Sequence, residues 1–387
     1  MKKKIAILIN SIEGGGAERT AARLLNELKN DFDIHLVLLS DIIDYPIPEL
    51  QKIFCFNQAN SANILIKFLT LPYYAYRYKK YCKRNKIEAS LSFLTRSHYI
   101  NSLSKVFGSQ TKILISEQAH VSTYLRSLGK LNEFVSKFLT RKLYSKADLV
   151  ITNAVLIKTD LQEEFGIVVP FEVVHNPLPL ENIQHLSLEP VAEHFFKDFT
   201  FINVGSFRPQ KNHALLIEAF DKIRHHDCSL LLVGKEGKNE LLIHQKVKDL
   251  KLDNRIFFAG FDTNPFKYLS KADCFVLSSD FEGFPNVLQE ALACHLPVIS
   301  TDCKSGPREI LAPGTDIHQN LRSSIELAEF GILVPVNDAV LLAKAMAMIL
   351  SDHNLQFRYK EKAFESIKDF DTPLIIDKFR KILSRSL

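Results

Sequence analysis

Glu282 and Glu290 bracket a glycine-proline turn in the stretch Ser278-Ser279-Asp280-Phe281-Glu282-Gly283-Phe284-Pro285-Asn286-Val287-Leu288-Gln289-Glu290. The apolar run Cys274-Phe275-Val276-Leu277 before it predicts a buried parallel strand, and Val287–Ala293 after it predicts a helix. Pro285 suits the first helical position, which would leave the amides of Asn286, Val287 and Leu288 at the helix mouth. A helix mouth attracts phosphate, and two carboxylates beside it suit hydroxyl groups. An ordinary strand-to-helix turn with solvated glutamates has the same spelling.

A second glycine turn lies near the start. The β-branched run Lys3–Ile9 leads into Asn10-Ser11-Ile12-Glu13-Gly14-Gly15-Gly16-Ala17-Glu18-Arg19 and then into amphipathic spacing through Leu28. Glycines there let backbone amides approach a phosphate or sugar, or simply make a tight turn. The spacing matches neither the dinucleotide G-x-G-x-x-G fingerprint nor the Walker loop. A third turn, Gly205-Ser206-Phe207-Arg208-Pro209-Gln210-Lys211-Asn212, follows the strand-like Phe199–Val204. Glu117-Gln118-Ala119-His120 closes the strand-like Lys112–Ser116, and the carboxyl end of a strand is where open α/β sheets bind ligands. His120 there suits a sugar contact or proton transfer, and equally a structural role.

Between residues 63 and 86 stand Lys67, Arg77, Lys79, Lys80, Lys83, Arg84 and Lys86 without an acidic residue, interleaved with Phe68, Tyr73, Tyr74, Tyr76, Tyr78 and Tyr81. Cations and tyrosines on one helix suit an anionic lipid surface or a polyphosphate; a solvated basic face on a core helix is the alternative. Nucleic acid shares the chemistry but fits poorly with a net charge of +5 and an α/β scaffold. Pro72 kinks or starts this helix. Lys130–Tyr144 reads as a second basic helix.

These turns need elements to position them. A chain of 387 residues, 46 % hydrophobic and 24 % charged, exceeds one common core and predicts two or three domains. Strands and helices alternate in both halves, the pattern of two doubly wound α/β domains. His175-Asn176-Pro177-Leu178-Pro179 is the expected hinge. Cys55, Cys82, Cys228, Cys274, Cys294 and Cys303 show no metal or redox spacing and suit buried thiols in a reducing cytosol. Met1-Lys2-Lys3-Lys4 opens like a signal peptide, but Ile5–Ile9 is too short an apolar run, and no run approaches the roughly 18 residues of a membrane span.

Taken together, Gly14-Gly15-Gly16-Ala17-Glu18-Arg19, Gly205 through Lys211-Asn212, and Glu282 through Glu290 resemble the retaining glycosyltransferases of family four. That resemblance implies a GT-B fold, two Rossmann-like domains facing across a cleft. The expected organisation is an acceptor-binding domain over residues 1–177, a linker over 178–197 and a nucleotide-sugar domain over 198–365, with a final helix in 366–387 packing back on the first domain. By position, Glu290 would bind the ribose hydroxyls and Glu282 would face the donor sugar. Gly283, Phe284, Pro285, Asn286 and Val287 would hold sugar and diphosphate. Lys211 would neutralise the departing diphosphate. Gly205, Ser206 and Arg208, with Gly15 and Gly16, complete the expected donor contacts, and the expected catalytic set is Glu282, Lys211 and His120. No metal and no cofactor is expected. Two positions depart from the family: Ser206 stands where arginine is usual, with Arg208 two residues on, and Gln118 stands where histidine is common, with His120 two residues later.

A narrower resemblance is to enzymes that add N-acetylgalactosamine to undecaprenyl-diphosphate-linked glycans. It rests on Tyr45-Pro46-Ile47-Pro48-Glu49, the basic helix, Lys211-Asn212-His213-Ala214-Leu215-Leu216-Ile217, and Gly260 through Tyr268. It implies UDP-N-acetylgalactosamine as donor, a lipid-linked saccharide as acceptor, and a place on the cytoplasmic membrane surface. Lys67, Arg77, Lys79, Lys80, Lys83 and Arg84 would meet lipid diphosphate or headgroups. The rival readings are a lipopolysaccharide or capsule transferase with another sugar, a non-catalytic sugar-nucleotide-binding module at the membrane, and a nucleotide-sugar epimerase.

Overall fold

Apolar runs without polar alternation form strands covered on both faces, and here they assemble into two seven-stranded sheets. The computed structural model describes residues 2–49, 52–58, 64–235, 237 and 239–387. Its chain divides into one unit of residues 1–177 with 373–387 and another of residues 178–372.

In the first unit the strands are β1 (Lys4–Ile9), β2 (Asp33–Leu38), β3 (Ile53–Cys55), β4 (Ala89–Phe93), β5 (Lys112–Glu117), β6 (Leu149–Thr152) and β7 (Phe171–Val173). They pair in parallel in the order β3-β2-β1-β4-β5-β6-β7. The direction of winding reverses between β1 and β4, so the loops leaving those strands open a crevice at their carboxyl ends. The helices are α1 (Gly16–Leu28), α2 (Ile64–Leu69), α3 (Leu71–Asn85), α4 (Thr95–Val106), α5 (Val121–Arg126), α6 (Lys130–Tyr144) and α7 (Val155–Glu163). Leu24, Leu25 and Leu28 of α1 share a core with Ile7 and Leu36 of the sheet and with Ile375, Phe379 and Leu383 near the end of the chain. The basic stretch is two helices, broken at Thr70, with Pro72 in the first turn of α3, where its missing N–H breaks no helical bond.

The second unit repeats the plan. It has β8 (Thr200–Val204), β9 (Ser229–Val233), β10 (Ile256–Gly260), β11 (Cys274–Leu277), β12 (Val298–Thr301), β13 (Glu326–Leu327) and β14 (Ile332–Val334). Their order is β10-β9-β8-β11-β12-β14-β13, parallel except for β13. Its helices are α8 (Leu180–Leu186), α9 (His213–Lys222), α10 (Glu240–Asp249), α11 (Phe266–Leu269), α12 (Asn286–Ala293), α13 (Pro307–Leu311), α14 (Ala339–Ser351) and α15 (His353–Ala363). The last helix, α16 (Thr372–Arg385), belongs to the first unit from Pro373 on. The edge strand β13 is absent from the sequence reading because two residues carry no periodicity. Arg308 fixes it, donating to both carboxylate oxygens of Asp302 (3.0 and 2.7 Å) and to Glu326 (2.9 Å) while itself buried. Among the described residues no helix is long and apolar enough to cross a membrane.

Candidate active site

β8 and β11 are neighbours at the point where the second sheet reverses its winding. The segments that leave them are tied together. Ser278 Oγ donates to the Lys211 carbonyl (2.9 Å), the Asp280 N–H to the Gln210 carbonyl (2.8 Å), and the Asn212 side-chain amide to the Asp280 carboxylate (2.7 Å). Asn212, at φ +46°, also accepts from the Leu215 N–H and so caps α9. This scaffold delivers Lys211 Nζ to 2.7 Å from Glu282 Oε1, and Ser279 Oγ donates to the same oxygen at 2.6 Å. The two ionic side chains are 16 % and 8 % exposed, so each is largely desolvated and the pair offsets part of that cost.

Burial raises the Asp280 carboxyl above its usual range, opposed by the Asn212 hydrogen bond. Burial, with the Lys211 charge close by, takes the His213 imidazole down to about 3. The glycines of the site have a steric reason. A Cβ on Gly234 would sit 1.9 Å from the Gly205 carbonyl oxygen, so the turns after β8 and β9 touch backbone to backbone. Gly205 in turn lies against the stem of Lys211, its Cβ position 3.5 Å from Cε.

Ser206 is half-buried, whereas Arg208 is exposed at the start of the 3-10 turn Pro209–Lys211. α12 begins at Asn286, one residue later than the sequence suggests, because Pro285 takes the cap position. The Leu288 N–H donates to the Pro285 carbonyl (3.0 Å), which removes it from the set of outward amides expected at this helix mouth. Phe284, Pro285 and Asn286 are buried, and Gly283 and Val287 half-buried. Glu290 is fully buried one turn into α12. Beside it Gln289 is buried with no hydrogen-bond partner for Nε2 among the described residues, as is Ser305 Oγ on the loop after β12. Sequence reading singles out neither; unspent polar atoms become visible only when burial is known.

In the first unit Gly15 occupies the cap of α1 and Gly16 opens it. The Gly14 N–H donates to the Asp44 carboxylate (3.1 Å), and the Gly15 N–H to the Glu13 carbonyl (2.6 Å). His120 is buried at the cap of α5, its Nδ1 3.0 Å from Thr123 Oγ1 and 3.7 Å from Asp160 Oδ1. Nearby, Glu117 ends β5 wholly inside. Tyr144 OH donates to its Oε2 (2.6 Å) and the N–H groups of Gln118 and Ala119 to its Oε1 (2.9 and 3.1 Å), with His98 Nε2 3.8 Å from Oε2. Burial outweighs these donors and lifts the Glu117 carboxyl to about 7, while burial lowers His98 to about 3. His98 and Tyr144 reach Glu117 from α4 and α6, a meeting no local spacing announces.

These shifts predict acid sensitivity. His35, His98 and His213, at about 4, about 3 and about 3, all lie below the ordinary 6.5. The stability gained by keeping them neutral is complete above pH 6.5 and is lost as pH falls toward those values. Glu117 acts in the opposite sense, because the folded state keeps a proton that the unfolded chain releases between about 4.5 and about 7. The lowered histidines outweigh the raised carboxyls of Glu117 and Asp280, so the urea midpoint is expected to drop between pH 7 and pH 5. A midpoint unchanged or higher at pH 5 would contradict this.

The tyrosines of α3 divide. Tyr78 is buried with its OH 2.5 Å from Ser90 Oγ, and Tyr81 OH meets His35 Nδ1 at 2.9 Å, whereas Tyr73 and Tyr76 are exposed. Arg77 lies over the Tyr73 and Phe56 rings, Lys80 lies over Tyr76, and Lys79 Nζ donates to the Phe107 carbonyl at 2.6 Å. Lys83 and Arg84 are exposed in the last turn, where cations favour the helix dipole. Lys67 falls in α2, and its side chain lies outside the described residues.

Residues 189–366 match the model of the glycosyl transferases group 1 family. The chain is 39 % identical, over 95 % of its length and 96 % of the relative's, to the Campylobacter jejuni N-acetylgalactosamine-N,N'-diacetylbacillosaminyl-diphospho-undecaprenol 4-alpha-N-acetylgalactosaminyltransferase. A second protein of that organism, an alpha-1,4-N-acetyl-D-galactosaminyltransferase named for a diphospho-undecaprenol saccharide, is 24 % identical over 98 % of both chains. Among solved structures, sucrose-phosphate synthase from Thermosynechococcus elongatus superposes over 99 % of both chains with a TM-score of 0.80 at 18 % identity. Anabaena HepE in complex with UDP and glucose does so over 99 % of both with a TM-score of 0.75, also at 18 % identity.

Proposed function

Since this chain belongs to the glycosyl transferase group 1 family and has its GT-B fold, we propose that it transfers N-acetylgalactosamine from UDP-N-acetylgalactosamine, with retention as an α linkage, to a saccharide carried on undecaprenyl diphosphate. The observation that carries this reading is the 39 % identity, spread over 95 % of the chain, to a relative whose name states such a transfer.

In this reading the second unit grips the donor. Glu290 accepts from the ribose hydroxyls, Glu282 faces the sugar, and the segment Gly283–Val287 with Gly205, Ser206 and Arg208 surrounds the diphosphate. Gly15 and Gly16 contribute from the first unit, and His120 contacts the sugar. An ammonium has three N–H groups. Glu282 takes one from Lys211 at 2.7 Å, which leaves others for a diphosphate. The acceptor hydroxyl oxygen bonds to the anomeric carbon on the face from which UDP departs. The carbon–phosphate oxygen bond breaks, its electron pair stays with UDP, and the hydroxyl proton passes to that phosphate oxygen. Lys211 stabilises the charge that gathers there. The cations of α2 and α3 (Lys67, Arg77, Lys79, Lys80, Lys83 and Arg84) meet the acceptor's diphosphate or anionic lipid headgroups, with the protein held peripherally on the cytoplasmic face of the membrane.

The test is UDP release from a panel of UDP-sugars with an undecaprenyl-diphosphate-linked acceptor. Turnover is expected with UDP-N-acetylgalactosamine at least about tenfold above its glucose, galactose and N-acetylglucosamine counterparts. Preference for another sugar would move the protein to a different polysaccharide pathway, and no UDP release with any donor would overturn the proposal.

A further inference from the structure

A surface helix ordinarily turns its apolar side chains inward, and α6 does the reverse along its first three turns, before Leu143 and Tyr144 turn inward. Ser136 and Thr140 are the buried positions, at 3 % and 0 % exposure, held by Tyr99, whose OH donates to the Ser136 carbonyl (3.1 Å) and lies 2.9 Å from Thr140 Oγ1. Leu131, Phe134 and Phe138 are 71 %, 73 % and 56 % exposed. Spacings of three and four residues place them on one ridge. At helical periodicity Lys130, Lys137 and Arg141 run along one side of that ridge and Lys142 along the other, with Arg126 and Lys146 just beyond the helix ends. Glu133 is the segment's single acid, and it pairs with Lys137 at 2.7 Å. α3 packs on α4 and α4 on α6, so the ridge shares a layer with the basic helix and with Val106 and Phe107, both exposed at the end of α4.

We infer that this ridge of α6 inserts into the headgroup region of an anionic bilayer and holds the first unit on the membrane. The inference rests on the lipid-linked-acceptor reading, for which it names the anchoring face. Apolar side chains flanked by lysine and arginine on the outward face of a packed helix suit partial burial in lipid combined with attraction to anionic headgroups. A second copy of the chain suits the ridge poorly: a two-fold contact sets the same patch against itself and opposes cation to cation. Three large side chains also fall well short of the roughly 1,000 Å² that a stable protein interface buries.

The chain contains no tryptophan, so Phe134→Trp supplies a unique fluorophore on the ridge. With mixed phosphatidylethanolamine–phosphatidylglycerol vesicles its emission is expected to shift to the blue and to be quenched by brominated acyl chains; phosphatidylcholine vesicles should produce much less of either. The triple variant Leu131→Ser/Phe134→Ser/Phe138→Ser should float with the anionic vesicles at least about 30-fold more weakly, while turning over a short-chain, water-soluble lipid-diphosphate acceptor at the unsubstituted rate. Emission that neither shifts nor is quenched would overturn the inference, as would a triple variant that floats undiminished. A concentration-dependent dimer that the triple variant loses while it still binds vesicles would also overturn it. Insertion of the ridge without sugar transfer from any donor would sustain the inference and defeat the proposed reaction.

Discussion

Replacing Lys211 by alanine is expected to lower kcat/KM by about a thousandfold, because it removes the cation proposed to meet the charge on the departing diphosphate. The geometry predicts a second, separable effect. Glu282 is 8 % exposed and shares its Oε1 between Lys211 and Ser279, so the substitution leaves a buried carboxylate with a hydroxyl in place of its counter-ion. Breaking a buried pair from one side costs about 3 kcal/mol, and the melting temperature should fall accordingly. The double variant Lys211→Ala/Glu282→Gln separates the two effects. A neutral amide needs no counter-ion, so stability should return while activity does not. UDP release and thermal melts measure both quantities. A kcat/KM within tenfold of the unsubstituted value, alongside a lowered melting temperature, would reduce Lys211 to a structural partner of Glu282 and remove it from the reaction.

Lys211 and Glu282 lie 71 residues apart in sequence and 2.7 Å apart in space. Each is legible as part of a turn after an apolar run, since buried parallel strands and glycine turns leave a local signature. Their meeting is not legible from periodicity, because it depends on β8 and β11 being neighbours, and strand order is a property of the whole sheet. The same limit hides Ser278, Asn212 and Asp280, which join the two turns through backbone and side-chain bonds, and the Glu117–His98–Tyr144 cluster. Composition also cannot assign faces. The tyrosines of α3 look alike in sequence, yet Tyr78 is a core residue and Tyr73 is solvent-facing. In α6 the sequence reads as basic, and the apolar ridge emerges only when Ser136 and Thr140 are seen to take the inner face.

Gly306→Ala is expected to damage both the stability and the donor site of the second unit. Gly306 sits at φ +87°, in the region that favours glycine, and a side chain held there costs about 1–3 kcal/mol. Its Cβ would also lie 2.4 Å from Pro285 Cδ, 2.7 Å from the Gly283 carbonyl oxygen and 3.0 Å from Phe284 Cα. A proline ring and the backbone that leads into it cannot swing aside as the tip of a side chain can. At Gly15, by contrast, the nearest atoms to an added Cβ are those of the Glu18 carboxyl group, the end of a side chain. The strain therefore has to be relieved by moving the turn Gly283–Pro285, which carries Glu282 at one end and α12 with Glu290 at the other. Together the terms predict a loss of about 3 kcal/mol or more and, because the displaced turn is the proposed donor grip, UDP binding weakened at least about tenfold. Gly314→Ala is the control: nothing lies within 4 Å of its Cβ position, and its stability should stay within about 0.5 kcal/mol of the unsubstituted chain. Calorimetric unfolding and UDP titration of the two variants decide the matter. If Gly306→Ala melts and binds UDP as Gly314→Ala does, the loop after β12 does not brace the Glu282–Glu290 turn, and that turn's shape must come from β11 and α12 alone.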